Sequence, residues 1–215
     1  MKTTITLLVS LALAAPLAAQ TRAARPADAP AVSFRPFVMA IGEDFAAKNT
    51  FDATFGQSFE PFWGGGVQIA LRDGIYVELS ASRFKKTGQR AFRFNGQNFG
   101  LGIPLTATLT PFELTGGYRF KIWPRIIPYA GVGYGSYGYK ETSGFADTGE
   151  NVDTRHGGFL LAGGVELRAH RFVGVAVDAQ YTHVPGILGS GGISKDANEN
   201  DLGGVAARVK VIIGR

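Results

Sequence analysis

The chain contains no cysteine. That absence excludes a disulfide framework, a thiolate metal site and a cysteine nucleophile. Charge is scarce as well: Asp, Glu, Lys and Arg make up 18% of the 215 residues, too few for a coiled coil or a disordered polyelectrolyte. Beyond residue 19 no run of 18 apolar residues occurs, so no transmembrane helix is expected there. Nor does any long segment carry the 3.6-residue period of an amphipathic helix. What is abundant is glycine, at 30 positions, with aromatics at 12%. An ordinary helical enzyme does not spend its residues this way. The length fits one domain, or two at most. Lys and Arg number 22 against 17 Asp and Glu, a formal balance of 22 − 17 = +5.

The first 19 residues have the order of a secretory signal peptide. Lys2 is followed by the apolar Ile5, Leu7, Leu8, Val9, Leu11 and Leu13, then by the small Ala14, Ala15, Ala18 and Ala19. Cleavage is expected after Ala19, and the apolar run is too short for a comfortable membrane anchor. Removal of Lys2 takes the charge to 5 − 1 = +4. Residues 20 to 31, rich in Ala and Pro with Arg22 and Arg25, are expected to form a flexible N-terminal segment ahead of a domain spanning 32–215.

From residue 32 onward apolar residues recur at every second position, the period of a strand with two different faces. Val173, Val175, Val177, Ala179 and Tyr181 interleave with Gly174, Ala176, Asp178, Gln180 and Thr182. Val205, Ala207, Val209, Val211 and Ile213 interleave with Ala206, Arg208, Lys210 and Ile212. Phe159 to Arg168 and Ile75 to Ser82 alternate in the same way, and segments 32 to 42, 63 to 72, 104 to 120 and 126 to 140 do so less regularly. Eight strands are predicted. Between 105 and 120 the apolar phase passes from odd residues (Leu105, Ala107, Leu109) to even ones (Phe112, Leu114, Tyr118, Phe120) across Pro111, which predicts a bulge there. Residues 126 to 140 fit either facing. Gly131, Gly133 and Gly135 are no nucleotide-binding loop, because such a loop must lead into a helix.

The connections carry the topology. Asp73-Gly74 predicts a type I′ hairpin, and the links at 121–125 and 169–171 are also short. Those near 43–62, 87–103, 141–157 and 185–201 are long. Short and long links alternate, so in an up-and-down antiparallel barrel all the short ones fall at one rim and all the long ones at the other. That is the layout of an outer-membrane barrel. Closing the sheet also pairs every strand edge, as a bilayer requires.

The polar members of the clear strands are Glu78, Glu166, Arg168, Asp178, Gln180, Arg208 and Lys210; by phase Arg35, Gln68, Arg72, Glu113 and Arg119 join them. The other face is almost free of charge. A soluble lipocalin-like barrel would turn its apolar face inward, a membrane barrel outward. Two features favour lipid outside. A set of six bases and four acids can largely neutralise itself in the narrow interior of eight strands. Trp63 falls at the long-loop rim with Phe84, Phe159 and Tyr181, and Trp123 at the short-turn rim with Tyr118, Phe120 and Phe172, which suits two lipid headgroup levels.

The run Pro111-Phe112-Glu113-Leu114-Thr115-Gly116-Gly117-Tyr118-Arg119-Phe120, followed by a turn and Pro128-Tyr129-Ala130-Gly131-Val132-Gly133-Tyr134, resembles the paired central strands of the eight-stranded outer-membrane β-barrel proteins of Gram-negative bacteria, the group of OmpA-type, OmpX-type and OmpW-type barrels. The resemblance implies an all-β, eight-stranded antiparallel transmembrane barrel in the outer membrane. It implies lipid and lipopolysaccharide as surroundings, and the barrel-insertion machinery as partner during biogenesis. One departure concerns that machinery: family members usually end on an aromatic residue, whereas this chain ends Val211-Ile212-Ile213-Gly214-Arg215. No peptidoglycan-binding domain of the OmpA kind is expected.

Candidate chemistry is sparse. His156 and His170 fall in links at opposite ends, which does not suit a joint metal or catalytic site. His183 lies at the outer end of a strand, where a lipid-A-modifying hydrolase would need a serine from another strand. Lys85, Lys86, Arg90 and Arg93, with Phe84, Phe92 and Phe94, lead into Asn95-Gly96 as a small extra hairpin. The four cations suit lipopolysaccharide phosphates better than nucleic acid; a rim that merely snorkels to water is the simpler reading. The expectation is a monomeric barrel without cofactor, metal or enzymatic site, acting in a structural or interaction role. The alternative is a narrow passage for small apolar solutes with a funnel of Leu101, Ile103 and Ile187, and a third reading is the lipid-A enzyme.

Overall fold

The computed structural model of the chain describes residues 32–95, 97–143, 151–189 and 192–214. The expected signal peptide, the segment 20–31, and Gly96 lie outside the described residues. Eight antiparallel strands close into one ring in chain order: β1 Val32–Phe45, β2 Phe59–Leu71, β3 Ile75–Phe94, β4 Gln97–Arg119, β5 Ile126–Thr142, β6 Val152–His170, β7 Val173–His183 and β8 Gly204–Ile213. All eight predicted segments are strands. Two short helices sit between strands, α1 Lys48–Phe55 after β1 and α2 Gly192–Asp196 after β7. No helix among the described residues is long and apolar enough to cross a membrane; the strands do so instead.

Alternation sets the two faces. Val177 and Val209 are cross-strand partners on β7 and β8, one step from the pair Asp178 and Arg208. Val177 is 55% exposed and Val209 47%, whereas Asp178 and Arg208 are buried at 4% and 3%. In a closed barrel the buried face is the lumen, so the charged side lines the axis and the aliphatic side faces out. The outer surface carries Val38, Leu79, Leu114, Val132, Leu161 and Val205 in the same way. Such a surface suits hydrocarbon and not water.

The loops differ from the expectation in physical character. The stretch read as a link near 87–103 is strand: β3 and β4 run on as a paired ribbon to Phe94 and Gln97, with one irregularity at Gln89/Ala91, so the small hairpin expected at Asn95-Gly96 is the end of this ribbon and not a separate element. Asn95 takes a left-handed φ of 49° at its tip. The β2–β3 turn is not type I′, which needs positive φ at both central residues. Gly74 has φ 100° while Asp73 is not among the positive-φ residues, and the Gly74 N–H donates to the Leu71 carbonyl over 3.1 Å. This is the three-residue loop closed by a left-handed glycine.

The predicted bulge at Pro111 is absent. Pairing with β3 keeps one register from Ile75↔Tyr118 to Gln89↔Pro104, and β5 pairs without interruption from Thr106 to Arg119. Odd residues face inward throughout: Leu105, Ala107, Leu109, Glu113, Thr115 and Arg119 are all buried. The strand does not switch faces. Its inner face changes from apolar in the long-loop half to charged in the short-turn half, and the sequence period registers that change as a phase shift. On β5 the large inward residues are Ile127, Tyr129, Tyr137 and Tyr139. Glycine makes room beside them. Gly117 and Gly131 are cross-strand partners, and a Cβ at Gly131 would stand 2.4 Å from the hydroxyl of the buried Tyr76.

If the aliphatic face meets acyl chains, Val177→Arg places a charge in hydrocarbon. We expect a destabilisation of about 2–4 kcal/mol for a site near the midplane, read as a lower folded fraction in lipid vesicles by the mobility of unboiled protein on gels. Unchanged folding would mean that this face is wet.

Candidate functional site: a sealed lumen and its structured mouth

The lumen of the short-turn half is a single polar network with a contribution from every strand. Glu166 on β6 lies at its base, held by both terminal nitrogens of Arg35, one of them at 3.0 Å, and by Arg119 Nη2 at 2.5 Å. Arg35 also donates to Gln68 Oε1 at 2.7 Å, and Gln68 Nε2 passes the chain to Glu78 at 3.1 Å. Lys210 Nζ bonds Glu78 Oε1 at 2.6 Å and stands 3.3 Å from Asp178. Asp178 accepts from Arg208 Nε and from the Tyr129 hydroxyl, both at 2.5 Å. Above it Arg208 bonds Gln180, and Glu113 accepts from Gln180 and from the Tyr137 hydroxyl at 2.9 Å each. Ser80 reaches the second oxygen of Glu113 at 3.3 Å.

The charges in this network balance. Its bases are Arg35, Arg119, Arg208 and Lys210 and its acids are Glu78, Glu113, Glu166 and Asp178, so the formal sum is 4 − 4 = 0. A buried set of charges is tolerable only when each finds opposite charge and hydrogen bonds at once. Among the described residues one side-chain nitrogen or oxygen wholly shut off from solvent, Arg119 Nε, has no hydrogen-bond partner. The void beside Glu113, Tyr137 and Arg208 holds about 20 Å³, room for one water.

Two predicted lumen residues lie elsewhere. Arg72 is exposed in the β2–β3 turn, because strand alternation ends at Leu71 and the residue belongs to the loop. Arg168 is on the inner phase of β6 but at the short-turn rim, 42% exposed with Nε 3.7 Å from Glu166. The predicted six-to-four excess of bases becomes an even balance without them. Sequence reading missed Glu43 and Glu60, which are buried inward-facing residues of β1 and β2 within what was expected to be a link.

The long-loop half of the lumen is closed by carbon. Phe45, Phe62 and Phe84 are buried on β1, β2 and β3, and α1 inserts Phe51 between them. Phe45 and Phe51 stack with centroids 4.1 Å apart, and Phe84 lies 5.8 to 6.3 Å from Phe45, Phe51, Phe55 and Phe62. Phe84 therefore belongs to this plug and not to the outer aromatic belt. Such rings pack with offset or edge-on geometry that adds to their area burial.

What holds the plug in place is a carboxylate from a distant loop. α1 has no side-chain cap of its own. Instead Glu199, between α2 and β8, accepts from the Asn49 backbone and side-chain nitrogens and the Thr50 backbone nitrogen, each at 2.9 Å, and from the Thr50 hydroxyl at 2.7 Å. These donors include the orphan N–H groups of a helix start, where negative charge is favoured. Burial works to raise the Glu199 carboxyl, and the bonds from Thr50 and Asn49 outweigh it, holding the group below its ordinary range.

The basic cluster divides by alternation. Lys85 points outward and is exposed. Lys86 points inward, its Nζ 2.5 Å from the buried Glu60, and Arg90 lines a cavity within the mouth. Lys86 faces the lumen with the other even residues of β3, and Arg90, at the irregularity between Gln89 and Ala91, is placed by the cavity it lines; the side chain of Arg93 lies outside the described residues. Arg83, which the sequence reading did not single out, is exposed and directly opposite Trp63 on the outer face. Trp63 is 74% exposed there and Trp123 is 53% exposed in the turn after β4. His183 Nδ1 is 2.6 Å from Asp201 Oδ2. Asp201 also accepts from the Val184 and Gly203 backbones at 2.7 and 2.9 Å, so the pair fastens the β7–β8 connection.

The ring order, the aliphatic exterior and the packed polar axis together are the fold of the eight-stranded outer-membrane β-barrels. Solved structures bear this out. Neisserial surface protein A is 10% identical with a TM-score of 0.52, over 86% of this chain and 97% of that one. A major outer membrane protein from Thermus thermophilus is 12% identical with a TM-score of 0.51, over 86% of this chain and 100% of that one. Identities this low establish the shared fold alone. No family model matches the sequence, and a search of curated proteins finds no significant match.

Glu166→Gln would leave Arg35 and Arg119 without their shared anion. The expected cost is about 3–5 kcal/mol, read as a lower urea midpoint in lipid vesicles, whereas Arg168→Gln at the wet rim should cost less than about 1 kcal/mol. Equal effects would contradict the network. Glu199→Ala should cost about 1 kcal/mol of local stability in α1, seen as roughly fivefold faster amide exchange over 48–55. Because the carboxyl is lowered in the folded chain, this contribution is present at neutral pH. It is lost as pH falls through that lowered value, so wild type should approach the variant only in acid.

Proposed function

We propose that the protein is a non-enzymatic barrel of a Gram-negative outer membrane, exported by residues 1–19, that does not conduct and serves a structural or interaction role at the cell surface. The observation that carries this reading is the double seal. A neutral polar network fills one half of the axis and the phenyl plug around Phe51 fills the other, leaving about 20 Å³ beside Glu113. Eight strands enclose an interior that side chains can fill completely. With the lumen spent on stability, function falls to the connections at the long-loop rim, which among the described residues are built from paired ribbon and helix. Structured loops lose less conformational entropy when they bind.

Trp63 beside Arg83, with Lys85 two residues further along β3, gives the outer face near that rim the aromatic and cationic character of a headgroup zone. We assign lipopolysaccharide phosphates to Arg83 and Lys85, of which only Lys85 belongs to the expected cluster of four cations. The barrel acts as a monomer in this reading.

A second reading, a passage for small apolar solutes, draws on one feature: Leu101 and Ile187 both line a cavity in the mouth, though Ile103 does not. A solute leaving that cavity toward the barrel axis would have to displace α1.

Planar-bilayer recordings of the purified protein discriminate. The sealed barrel gives no steady conductance in salt solution, with at most rare brief openings. A steady open-pore conductance would overturn the sealed-lumen reading.

A further inference from the structure

The cavity above the plug has a volume of about 340 Å³, within the range of small-molecule sites. It is walled by four separate parts of the long-loop rim: α1, the β3–β4 ribbon, the ends of β5 and β6, and the segment that carries α2. Leu101, Leu105, Val152, Ile187, Leu188 and Ile193 form its apolar lining. Leu105, Ile187, Leu188 and Ile193 are each no more than 8% exposed, so these aliphatic side chains are sequestered by the loops.

The polar part of the wall is small and balanced. Arg90 and Glu141 contribute one charge of each sign, a formal sum of 1 − 1 = 0, and the Tyr139 hydroxyl already occupies Glu141. Among the described lining residues an ion of either sign therefore finds no net opposite charge. Thr50 spends its hydroxyl on Glu199. Thr54, 6% exposed and next to Phe55, also lines the cavity, and its hydroxyl has no protein partner among the described residues. Below, the route toward the axis is stopped by Phe51 and Phe45, 1% and 0% exposed.

From this we propose that the cavity is a blind binding site for a small uncharged amphiphile, with an aliphatic body against the leucine and isoleucine wall and one hydroxyl or amide group bonded to Thr54. The bound molecule contacts both α1 and the α2 segment, so it closes the mouth in the same sense as Glu199 does. The site rests on the sealed lumen only for being blind; binding itself does not require that the barrel be closed.

The test uses the full chain with Leu, Ile and Val methyls labelled, in phospholipid nanodiscs, titrated with 1-octanol and followed by methyl NMR. Saturable shifts are expected at Leu101, Leu105, Ile187, Leu188 and Ile193. Filling the cavity by Ala91→Trp or, on the loop and away from the sheet, by Ile187→Trp should abolish the saturable shifts of the remaining lining methyls. The mobility of unboiled protein checks that each variant is folded. Thr54→Val, which keeps the shape and removes the hydroxyl, should weaken 1-octanol binding about fivefold. Shifts confined to outward methyls such as Leu114 and Val209, reporting partition into lipid, would overturn the proposal. So would shifts at the lining that never saturate or that persist in both filled variants. A conducting barrel that still binds 1-octanol saturably at these methyls would overturn the sealed reading and leave the site standing.

Discussion

An eight-stranded ring leaves an axis only wide enough for side chains, and whatever the inner face carries must satisfy itself there. This constraint organises the molecule. Because the outer face is committed to aliphatic residues, the charges have nowhere to go but inward, and inward they are tolerable only in equal number and in contact. In the short-turn half four bases and four acids meet that condition through the carboxylates of Glu166, Glu78, Asp178 and Glu113, which form successive steps of one hydrogen-bonded chain. Beyond it Glu60 takes Lys86 as its partner, while Glu43 faces the small void shared with Arg208. Removing one member of such a chain strands its neighbours, so the network specifies the register of the strands as well as filling the space. Asp178 and Arg208, directly opposite on β7 and β8, would part company on a slip of one residue.

The long-loop half solves the same problem with different chemistry. Charge gives way to phenyl rings, and the chain returns a helical segment into its own mouth to complete the filling. α1 is eight residues long, too short to be stable alone. Its order comes from stacking of Phe51 on Phe45 and from the anion that Glu199 presents to its first turn. The plug and the distal loop are thus one unit, and the cavity lies between them.

Much of this was legible in the sequence, and each failure has a physical cause. Period-two alternation depends only on local geometry, so the eight strands, the two faces and most of the inward set follow from it directly. It fails at strand ends, where Arg72 passes into a turn, Arg168 reaches the wet rim and Glu43 and Glu60 extend strands into what reads as a link. Pro111 misled because a period method assumes that one face keeps one chemistry, and here the inner face changes midway. The basic cluster misled for the complementary reason. Neighbours along β3 look like one patch in sequence and are split between lumen and exterior by the pleat, which sends Lys85 out and Lys86 to Glu60. Glu199 left no local signal at all, since its partners are 149 and 150 residues away. Nothing in a short Asn-Thr-Phe segment announces which loop will supply its cap.

The central claim concerns orientation of the sheet, and the absence of native cysteine makes it directly measurable. Single cysteines placed one at a time from 205 to 213 along β8, spin-labelled in lipid vesicles, report whether each position meets lipid-soluble oxygen. The account predicts high oxygen accessibility at 205, 207, 209, 211 and 213 and low accessibility at 206, 208, 210 and 212. The opposite phase, or no alternation, would contradict it.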